Sequence, residues 1–270
     1  MIKKLKQYKY HLKQLKDLFI DAYIELIINN NDELPELNRY EYGCFSQNGE
    51  DGIIDEIFDR IGITNKIFVE FGVGDGNENN TAYLLNKNWK GLWIEPDKNN
   101  YKYIKENNPF YKNISALKIE NKFVTIENFE SLLTKNNIQP EFDFLSIDID
   151  GNDYWIWKSL ENFKPRVVVI EYNSSFKPPT KWIMDYNPDH VFDKTNYFGA
   201  SLSSLEELGR NKNYKLVACD ITGTNAFFVR IDLINENFKH PFTTEFLYHP
   251  PRYFLSRSLG HKNKLGLFRN

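Results

Sequence analysis

The clearest signal of the fold in this chain is the stretch KIFVEFGVGDGNENNTAYLL, residues 66–85. Its apolar first part predicts a buried strand, and its last part begins a helix-like segment over residues 81–88. Three glycines stand between the two: Gly72, Gly74 and Gly76. Because glycine has no Cβ and adopts positive φ, such a turn lets backbone N–H groups approach a ligand closely. The stretch therefore predicts a strand, a ligand-binding turn and a helix.

An acidic residue ends the next apolar run. Glu95 lies in GLWIEPD, residues 91–97, nineteen residues after Gly76. A carboxylate there can accept hydrogen bonds from two ribose hydroxyls of a nucleoside that lies across the strand ends. The turn and Glu95 together predict a nucleoside-binding half-fold, with a purely structural turn as the alternative.

The spacing of the glycines distinguishes between nucleoside ligands. A dinucleotide turn reads G-x-G-x-x-G and places its backbone against a pyrophosphate. Here the third glycine comes one residue early, and Glu70 stands at the strand end. A carboxylate at Glu70 would repel a pyrophosphate but attract an amine or a sulfonium. The pattern therefore favours S-adenosylmethionine.

Short apolar runs alternate with helix-like segments after residue 66. The predicted helices cover residues 81–88, 98–107, 127–136, 153–162 and 202–211. Such alternation indicates a parallel sheet that is covered by helices on both faces. The predicted fold class is α/β, with a Rossmann-like, doubly wound, mostly parallel sheet.

These motifs resemble a class I S-adenosylmethionine-dependent methyltransferase, specifically the FkbM-like group. The resemblance rests on E-x-G-x-G-x-G from Glu70 to Gly76, on Glu95, and on FDFLSIDIDGND, residues 142–153. The segment FSQNGEDGIIDEIF, residues 45–58, is similar to the one that leads into the first strand in that group. The resemblance covers roughly residues 45–230. It implies a seven-stranded sheet with one antiparallel strand and methyl transfer to oxygen, commonly on a sugar.

The resemblance also implies roles for residues of this chain. Glu70 would hold the methionine amine and Glu95 the ribose, while the three glycines would line the cofactor. Gln47, in the loop before the sheet, would reach the methionyl end; helix capping is the alternative for Gln47.

Acidic residues gather at the ends of two later strands. In residues 142–153 the strand period of two puts Asp148 and Asp150 on one side, and in VVVIEYN, residues 167–173, it aligns Glu171 with Asn173. If these strands are neighbours, the four side chains converge beside the cofactor. Their oxygens suit Mg²⁺ or Mn²⁺. We predict Asp150, Glu171 and Asn173 as metal ligands; a metal-free cluster that orients substrate, or helix capping, are the alternatives.

Methyl transfer needs a group that takes the proton of the acceptor. Asp148 and Asp150 are predicted as the catalytic residues that take this proton or bind a metal that loosens it, and His190, in a long loop after the fifth strand, is a further candidate. Several polar residues, among them Lys177, Lys181 and Asn225, are candidates to line an acceptor pocket. The expected acceptor is a sugar or a phosphorylated small molecule, in surface-polysaccharide (capsule) assembly.

Composition narrows the class of protein. The chain has 270 residues, 41% of them hydrophobic and 16% aromatic, which suffices for a sizeable core and argues against disorder. Its 34 basic and 37 acidic residues leave a net charge of -3, which argues against a nucleic-acid partner. Two cysteines, no secretory leader and no apolar run of about 18 residues predict a cytoplasmic protein without a membrane span.

Three regions are predicted along the chain. Residues 1–40 form a helical arm, because apolar residues recur every three or four positions from Leu5 to Leu26. This helix packs on its own domain or forms a homodimer; a membrane-surface helix is the less favoured alternative. Residues 41–232 form the cofactor-binding domain with a lid insertion at 174–199, and residues 233–270 form a packed tail.

Two other functions stay open at this point. An NAD(P)-dependent oxidoreductase could use the same fold, but the glycine spacing disfavours it. A non-catalytic assembly protein would have no need of several buried carboxylates.

Overall fold

A computed structural model of the chain describes residues 8, 11–12, 15–16, 18–20, 22–27, 34–108, 111, 117–191, 193–239 and 241–255. The described residues between Tyr8 and Ile27 are helical. Among the residues that the structure describes, no helix combines the length and the apolar character that crossing a membrane requires.

A seven-stranded sheet forms the centre of the molecule. Its strands are β1 Ile67–Phe71, β2 Lys90–Ile94, β3 Leu117–Glu120, β4 Phe144–Ile147, β5 Val167–Glu171, β6 Tyr214–Cys219 and β7 Asn225–Arg230. The strand order is β3-β2-β1-β4-β5-β7-β6. Strands β1 to β5 are parallel, and β7 runs antiparallel to both β5 and β6. The predicted fold class is confirmed, including the single antiparallel strand.

The helices after the strands lie close to their predicted bounds. They are α1 Glu50–Ile61, α2 Ala82–Asn86, α3 Lys98–Asn107, α4 Phe129–Lys135, α5 Asp153–Ser159, α6 Leu202–Asn211 and α7 Thr244–Leu247. Short 3-10 helices cover Glu36–Tyr40, Ile231–Leu233 and Tyr253–Leu255. Helix α5 ends three residues before the predicted 162 because the N–H groups of Glu161 and Asn162 donate to Glu130 on α4 instead of continuing the helix.

The core has one layer on each face of the sheet. Val69 and Phe71 of β1 pack with α4, α5 and α6, whereas Phe68 packs with α1 and α2. Successive residues of a strand point to opposite faces, so strands covered on both sides are apolar throughout. Glu70, on the same face as Phe68, is the exception in β1.

The order of the strands places the site. Strands β1 and β4 are neighbours, and from them the chain proceeds in opposite directions across the sheet. Ligands of doubly wound sheets bind at this reversal, beyond the carboxyl ends of the strands. The insertion at 174–199 follows β5 at the same edge, and hydrogen bonds from Asn173 N–H to Ala200 O and from Ser201 N–H to Trp182 O close its base.

Candidate active site

A crevice of about 490 Å³ opens beyond the carboxyl ends of β1, β2, β4 and β5. Its lining combines the glycine turn, the acids predicted from the sequence and apolar side chains from the loop after β3. The lining includes Gln47, Gly72, Gly74, Glu95, Phe123, Val124, Asp148, Asp150, Glu171 and His190. The structure thus brings most of the predicted site residues into one cavity.

The three glycines of the turn have different roles. A Cβ on Gly72, at φ 74°, would lie 1.5 Å from the carbonyl oxygen of Asp148, so the close approach of β1 to β4 requires glycine there. Gly74, at φ 56°, faces open space. A Cβ on Gly76 would lie 2.6 Å from the Trp93 ring. Gly72 and Gly74 line the crevice, whereas Gly76 packs against the protein and is outside the lining set.

Glu95 is held in place by the backbone around it. Its Oε2 accepts the Gly74 N–H at 2.9 Å and its Oε1 accepts the Asp97 N–H at 2.9 Å. The residue is 4% exposed, and burial raises the pKa of its carboxyl. Oε1 also accepts from Asn100 Nδ2 at 3.4 Å. A carboxylate has about four acceptor positions, so Glu95 keeps capacity for one ribose hydroxyl, and for a second where Asn100 gives way.

Glu70 is committed to the protein rather than to the crevice. One oxygen accepts the Asn80 N–H at 2.9 Å, and the other accepts the N–H and the hydroxyl of Thr81. Burial raises the pKa of Glu70 to about 7. Its carboxylate orders the loop that leads into α2, and it lines a small side pocket instead of the main crevice.

Gln47 lies in a loop that a neighbouring acid organises. Asp51 Oδ2 accepts the backbone N–H groups of Cys44, Phe45 and Ser46 at 2.7, 2.7 and 3.1 Å. Burial raises the pKa of Asp51 to about 7. Asp51 therefore positions the loop, and Gln47 on that loop lines both the crevice and the side pocket.

Three carboxylates meet at the far end of the crevice. Asp148, Asp150 and Glu171 each place an oxygen within 4.8 Å of the others. Burial and mutual repulsion raise the pKa values of Asp148 and Glu171 well above the ordinary range. Glu171 Oε2 is buried and has no hydrogen-bond partner in the described part of the chain. Such a group needs a proton, a cation or a donor ligand among its oxygens, and its all-oxygen donor set fits Mg²⁺ or Mn²⁺.

A turn, and not the strand period, brings Asp150 into this group. Strand β4 ends at Ile147, and Asp150 has φ 55°. Asp153 holds the turn, since its carboxylate accepts the N–H groups of Ile149 and Gly151 at 2.9 Å each. Asp153 therefore stabilises the turn before α5 and does not cap the helix, whose N-cap residue Asn152 makes no side-chain capping hydrogen bond.

Asn173 has a role different from the predicted metal ligand. It is fully buried, its Nδ2 donates to the carbonyls of Asn196 and Phe198 at 2.8 and 3.0 Å, and its Oδ1 accepts the Ser175 N–H. Strand β5 ends at Glu171, so the alternation does not extend to Asn173. The amide fastens the insertion to the end of β5.

His190 joins the acid end of the crevice through the insertion. Its Nε2 lies 3.1 Å from the carbonyl oxygen of Asp150. The ring packs so closely on Gly151 that a Cβ there would lie 2.2 Å from it. His190 also lowers the pKa of Asp150, against the larger effect of burial, which raises it.

Sequence reasoning missed several lining residues. Phe123 and Val124 follow β3 and give the crevice an apolar wall, and Asn79 and Asn225 line the side pocket. No motif marks Phe123, Val124 or Asn79. Asn225 was a candidate for the acceptor pocket, and its position opposite Glu171 in the sheet could be found only from the pairing of β5 with β7.

Solved structures share this fold at low sequence identity. No protein-family model and no curated protein matches the chain. A protein from Klebsiella pneumoniae that is named as an O-methyltransferase superposes with a TM-score of 0.50 and 12% identity, over 82% of this chain and 99% of that one. One from Staphylococcus aureus that is named as a caffeoyl-CoA O-methyltransferase gives 0.49 and 14%, over 79% and 99%.

A third similar structure is the O-methyltransferase from Bacillus cereus in complex with SAH. It gives a TM-score of 0.43 and 11% identity, over 77% of this chain and 87% of that one. The likeness to the structure from Klebsiella pneumoniae, at a TM-score of 0.50, concerns the fold alone, and the seven-stranded order with one antiparallel strand agrees with it. The chain therefore has a Rossmann-like α/β fold, which it shares with that structure.

Proposed function

We propose that the protein is an S-adenosylmethionine-dependent O-methyltransferase. One observation carries the proposal: a single crevice has a buried ribose-type acceptor, Glu95, at one end and three convergent carboxylates at the other. A nucleoside bound to Glu95 would direct its 5′ substituent past Gly72 and Gly74 toward the carboxylates.

The lining favours a sulfonium nucleoside over a dinucleotide. Among the described lining residues there is no Lys or Arg, and the acids Glu95, Asp148, Asp150 and Glu171 make the crevice negative. A pyrophosphate would be repelled in this field, whereas a sulfonium would be attracted. Phe123 and Val124 offer an apolar surface on which an adenine ring can pack.

The carboxylates can serve as the proton acceptor. Bound S-adenosylmethionine supplies a methyl group that positive sulfur has already activated. Asp148 or Asp150 would take the proton of the acceptor hydroxyl while its oxygen, held about 3 Å from the methyl carbon, forms the new C–O bond. The pair of electrons of the C–S bond stays on sulfur. Burial raises the pKa of both carboxyls, which makes their carboxylates stronger bases than ordinary ones.

The same three acids could hold a divalent cation. Asp148, Asp150 and Glu171 would ligate Mg²⁺ or Mn²⁺, which would lower the pKa of a hydroxyl bound beside it. The partnerless Oε2 of Glu171 supports this assignment.

The acceptor we propose is a small molecule with neighbouring hydroxyls, such as a sugar. Convergent carboxylates accept hydrogen bonds from adjacent hydroxyl groups. A phosphorylated acceptor gains no support from the described lining, and Lys181 of the insertion pairs with Glu207 at 3.0 Å. The polysaccharide pathway and the cytoplasmic location stay predictions from the sequence.

Ligand-dependent melting tests the cofactor. S-adenosylhomocysteine at about 100 times its Kd should stabilise the protein by about 2.7 kcal/mol, and NAD should not. Glu95→Ala should abolish the response, while Glu106→Ala, an exposed acid on α3, should retain it. Stabilisation by NAD alone, or an unchanged response in Glu95→Ala, would refute the assignment.

We also propose that the N-terminal helix forms a homodimer. Ile20 packs with Ile221 and Leu255, whereas Leu12, Leu15 and Phe19 on another face are 60–66% exposed. An apolar stripe of this kind fits a second copy of the same helix. Light scattering should give twice the chain mass, and Leu12→Ser with Leu15→Ser should halve it; a monomeric wild type would refute the dimer.

A further inference from the structure

A tight turn joins β6 to β7 at the end of the crevice where the three carboxylates lie. The turn covers residues 220–224, and its Thr224 lines both the crevice and the side pocket. The Tyr172 N–H donates to the Thr224 carbonyl oxygen at 2.9 Å, so the turn lies next to Glu171 at the end of β5. Thr224 therefore lies where the methyl acceptor would bind.

A chain of hydrogen bonds fixes the hydroxyl hydrogen of Thr224. Asp220 is fully buried, and its Oδ1 accepts the hydroxyl of Thr222 at 2.5 Å. The hydroxyl oxygens of Thr222 and Thr224 lie 2.8 Å apart, and the distance alone allows either to donate. Because Thr222 has one hydroxyl hydrogen and uses it on Asp220, Thr224 is the donor. The Thr224 oxygen is left with lone pairs alone, so it can only accept a hydrogen bond from a ligand.

Three donors hold the carboxylate of Asp220 as an acceptor. Besides the Thr222 hydroxyl, it accepts the N–H of Thr224 at 3.0 Å and the N–H of Asn225 at 2.5 Å. Burial, and next the charge of Glu50, raise the pKa of Asp220 to about 7, although these donors lower it. At pH 8 most of the Asp220 carboxyl is therefore ionised, and the direction of the chain is kept.

The C-terminal tail supports the conformation of the turn. Gly223 has φ 76°, and a Cβ on it would lie 2.5 Å from the carbonyl oxygen of Pro250. The Arg252 N–H donates to Thr222 O at 2.7 Å, and the Arg252 guanidinium donates to Ile221 O at 2.8 Å. The turn is therefore a packed unit whose geometry is set before a ligand binds.

The neighbouring side chains at this end of the crevice are acceptors as well. Asp148, Asp150 and Glu171 contribute carboxylate oxygens, and Glu171 Oε2 has no partner in the described part of the chain. A methyl acceptor that fits here brings two hydrogen-bond donors, one for the carboxylate that takes its proton and one for Thr224. A diol offers both, whereas a ketone or an ether offers only lone pairs at the second position.

We infer that Thr224 is a specificity-determining residue, which recognises a second hydroxyl group of the methyl acceptor. That hydroxyl donates to Thr224 Oγ1. Thr222, held by Asp220, is the positioning residue that fixes the direction of this hydrogen bond. The inference rests on the proposed function, and it specifies the acceptor as a diol whose second hydroxyl acts as a donor.

Sugar derivatives test the direction of this hydrogen bond. The probes are the methyl glycosides of glucose, galactose and mannose, with their monodeoxy and monodeoxyfluoro derivatives. A C–F group accepts a hydrogen bond weakly and cannot donate one. We would measure kcat/KM for methyl transfer from S-adenosylmethionine at pH 8. At one position other than the methylated one, both derivatives should lose about tenfold relative to the parent glycoside.

Substitutions assign this loss to Thr224. Thr224→Val removes the hydroxyl at similar volume, so kcat/KM for the parent should fall about tenfold, with no further loss for the deoxy derivative. Thr224→Ser keeps the hydroxyl and should restore most of the activity. Thr134→Val is the matched control, because Thr134 is exposed on α4, donates to Glu130 O and lines neither cavity. The Kd of S-adenosylhomocysteine should stay within about twofold in all three variants.

Thr222→Val tests the positioning role. Without the Thr222 hydroxyl, the hydrogen of Thr224 is free to point into the crevice and to meet a C–F group. The ratio of kcat/KM between the deoxyfluoro and the deoxy derivative should therefore rise from about one in the wild type to about threefold. A loss of folded protein lowers both values equally and leaves this ratio unchanged. A ratio that stays at the wild-type value would overturn the role of Thr222.

The outcomes distinguish this inference from the proposed function. If S-adenosylhomocysteine does not bind to the wild type, the proposed function fails. If it binds but no glycoside is methylated, or if every deoxyfluoro derivative reacts like its parent, the cofactor assignment stands and the inference is wrong. Equal losses in Thr224→Val and Thr134→Val, or no recovery in Thr224→Ser, would also overturn it.

Discussion

The acids at the two ends of strands β4 and β5 have pKa values that are shifted in opposite directions. Before β4, Asp143 is fully buried and accepts hydrogen bonds from Arg166 Nη1 at 2.8 Å, from the Thr64 hydroxyl at 2.7 Å and from the backbone N–H groups of residues 64–66. Burial alone would raise the pKa of Asp143, but these donors hold it below its usual value. At the other ends of these strands, the pKa values of Asp148 and Glu171 lie well above the usual values of Asp and Glu.

The comparison distinguishes acids that stabilise the fold from acids that are placed to bind a ligand. Arg166 also donates to the carbonyls of Gly62 and Ile61, so the Asp143 pair joins the end of α1 to the sheet. At the other end the acids face one another without a basic partner among the described lining residues. A buried acid that is paired with a cation is tolerated in the fold, and removal of the cation destabilises the protein. Buried acids without a cationic partner are typical of functional sites.

Breaking the compensated end should have the largest effect. Arg166→Met leaves Asp143 buried without its cation, and we expect a loss of about 3–5 kcal/mol in the free energy of unfolding. Urea denaturation measures it. The double variant Arg166→Met, Asp143→Asn should recover part of the loss, because it removes the unpaired charge and its amide oxygen can still accept from the donors of residues 64–66. A single variant as stable as the wild type would contradict the role of the pair.

Replacing Glu171, at the end where the described lining has no basic residue, should affect activity and not stability. Glu171→Gln removes a repelling charge, so the stability of the free protein should not fall, while methyl transfer should fall by about 10²-fold or more. Thermal melting and release of S-adenosylhomocysteine with sugar acceptors measure the two. A loss of stability like that of Arg166→Met would place Glu171 among the structural acids.

A divalent cation should sharpen the contrast. Mn²⁺ at about 100 times its Kd should stabilise the wild type by about 2.7 kcal/mol, because it compensates the three acids. Glu171→Gln should lose most of this shift, and Glu106→Ala, an exposed acid, should keep it. Equal shifts in both variants would show that the ion binds elsewhere.

The acids at the two ends should also differ in how their contribution to stability depends on pH. This is the smallest of the expected effects. The folded-state pKa of Asp148 is raised, so its contribution to stability is most favourable below the unfolded value of about 3.9 and is lost as pH rises through the folded value. The pKa of Asp143 is lowered, so its contribution is present above about 3.9 and is lost as pH falls through the folded value.

Denaturation from pH 4 to 8 measures this difference. Asp148→Asn should gain stability relative to the wild type as pH rises, by about 1 kcal/mol or more for each unit of raised pKa that the range covers. Asp143→Asn should instead run nearly parallel to the wild type over this range, because Asp143 is ionised in both the folded and the unfolded state above about 3.9. Parallel curves for wild type and Asp148→Asn would contradict the raised pKa.

Local sequence predicted the parts of the site that depend on periodicity and on backbone freedom. The bounds of α3 and α6 agree with the predicted 98–107 and 202–211. Gly72, Gly74 and Glu95 lie where the glycine turn and the end of the second strand put them, and Asp148 and Glu171 meet because their strands are neighbours.

The roles of Glu70, Gly76 and Asn173 could not be predicted in this way. Each depends on its partner: Thr81 for Glu70, Trp93 for Gly76, and the carbonyls of the insertion for Asn173. The helical arm at 1–40, the lid and the FkbM-like subgroup stay predictions.

The alternation of strands with helices, the glycine turn and the acids at or near the ends of four strands can be read from the sequence. They are local properties, which depend on the side-chain period, on the φ that a residue tolerates and on where a strand ends. Which acids have a basic partner and which do not depends on the tertiary structure. The charge state of a buried carboxylate depends on donors and charges that come from distant parts of the chain, as Arg166 does for Asp143.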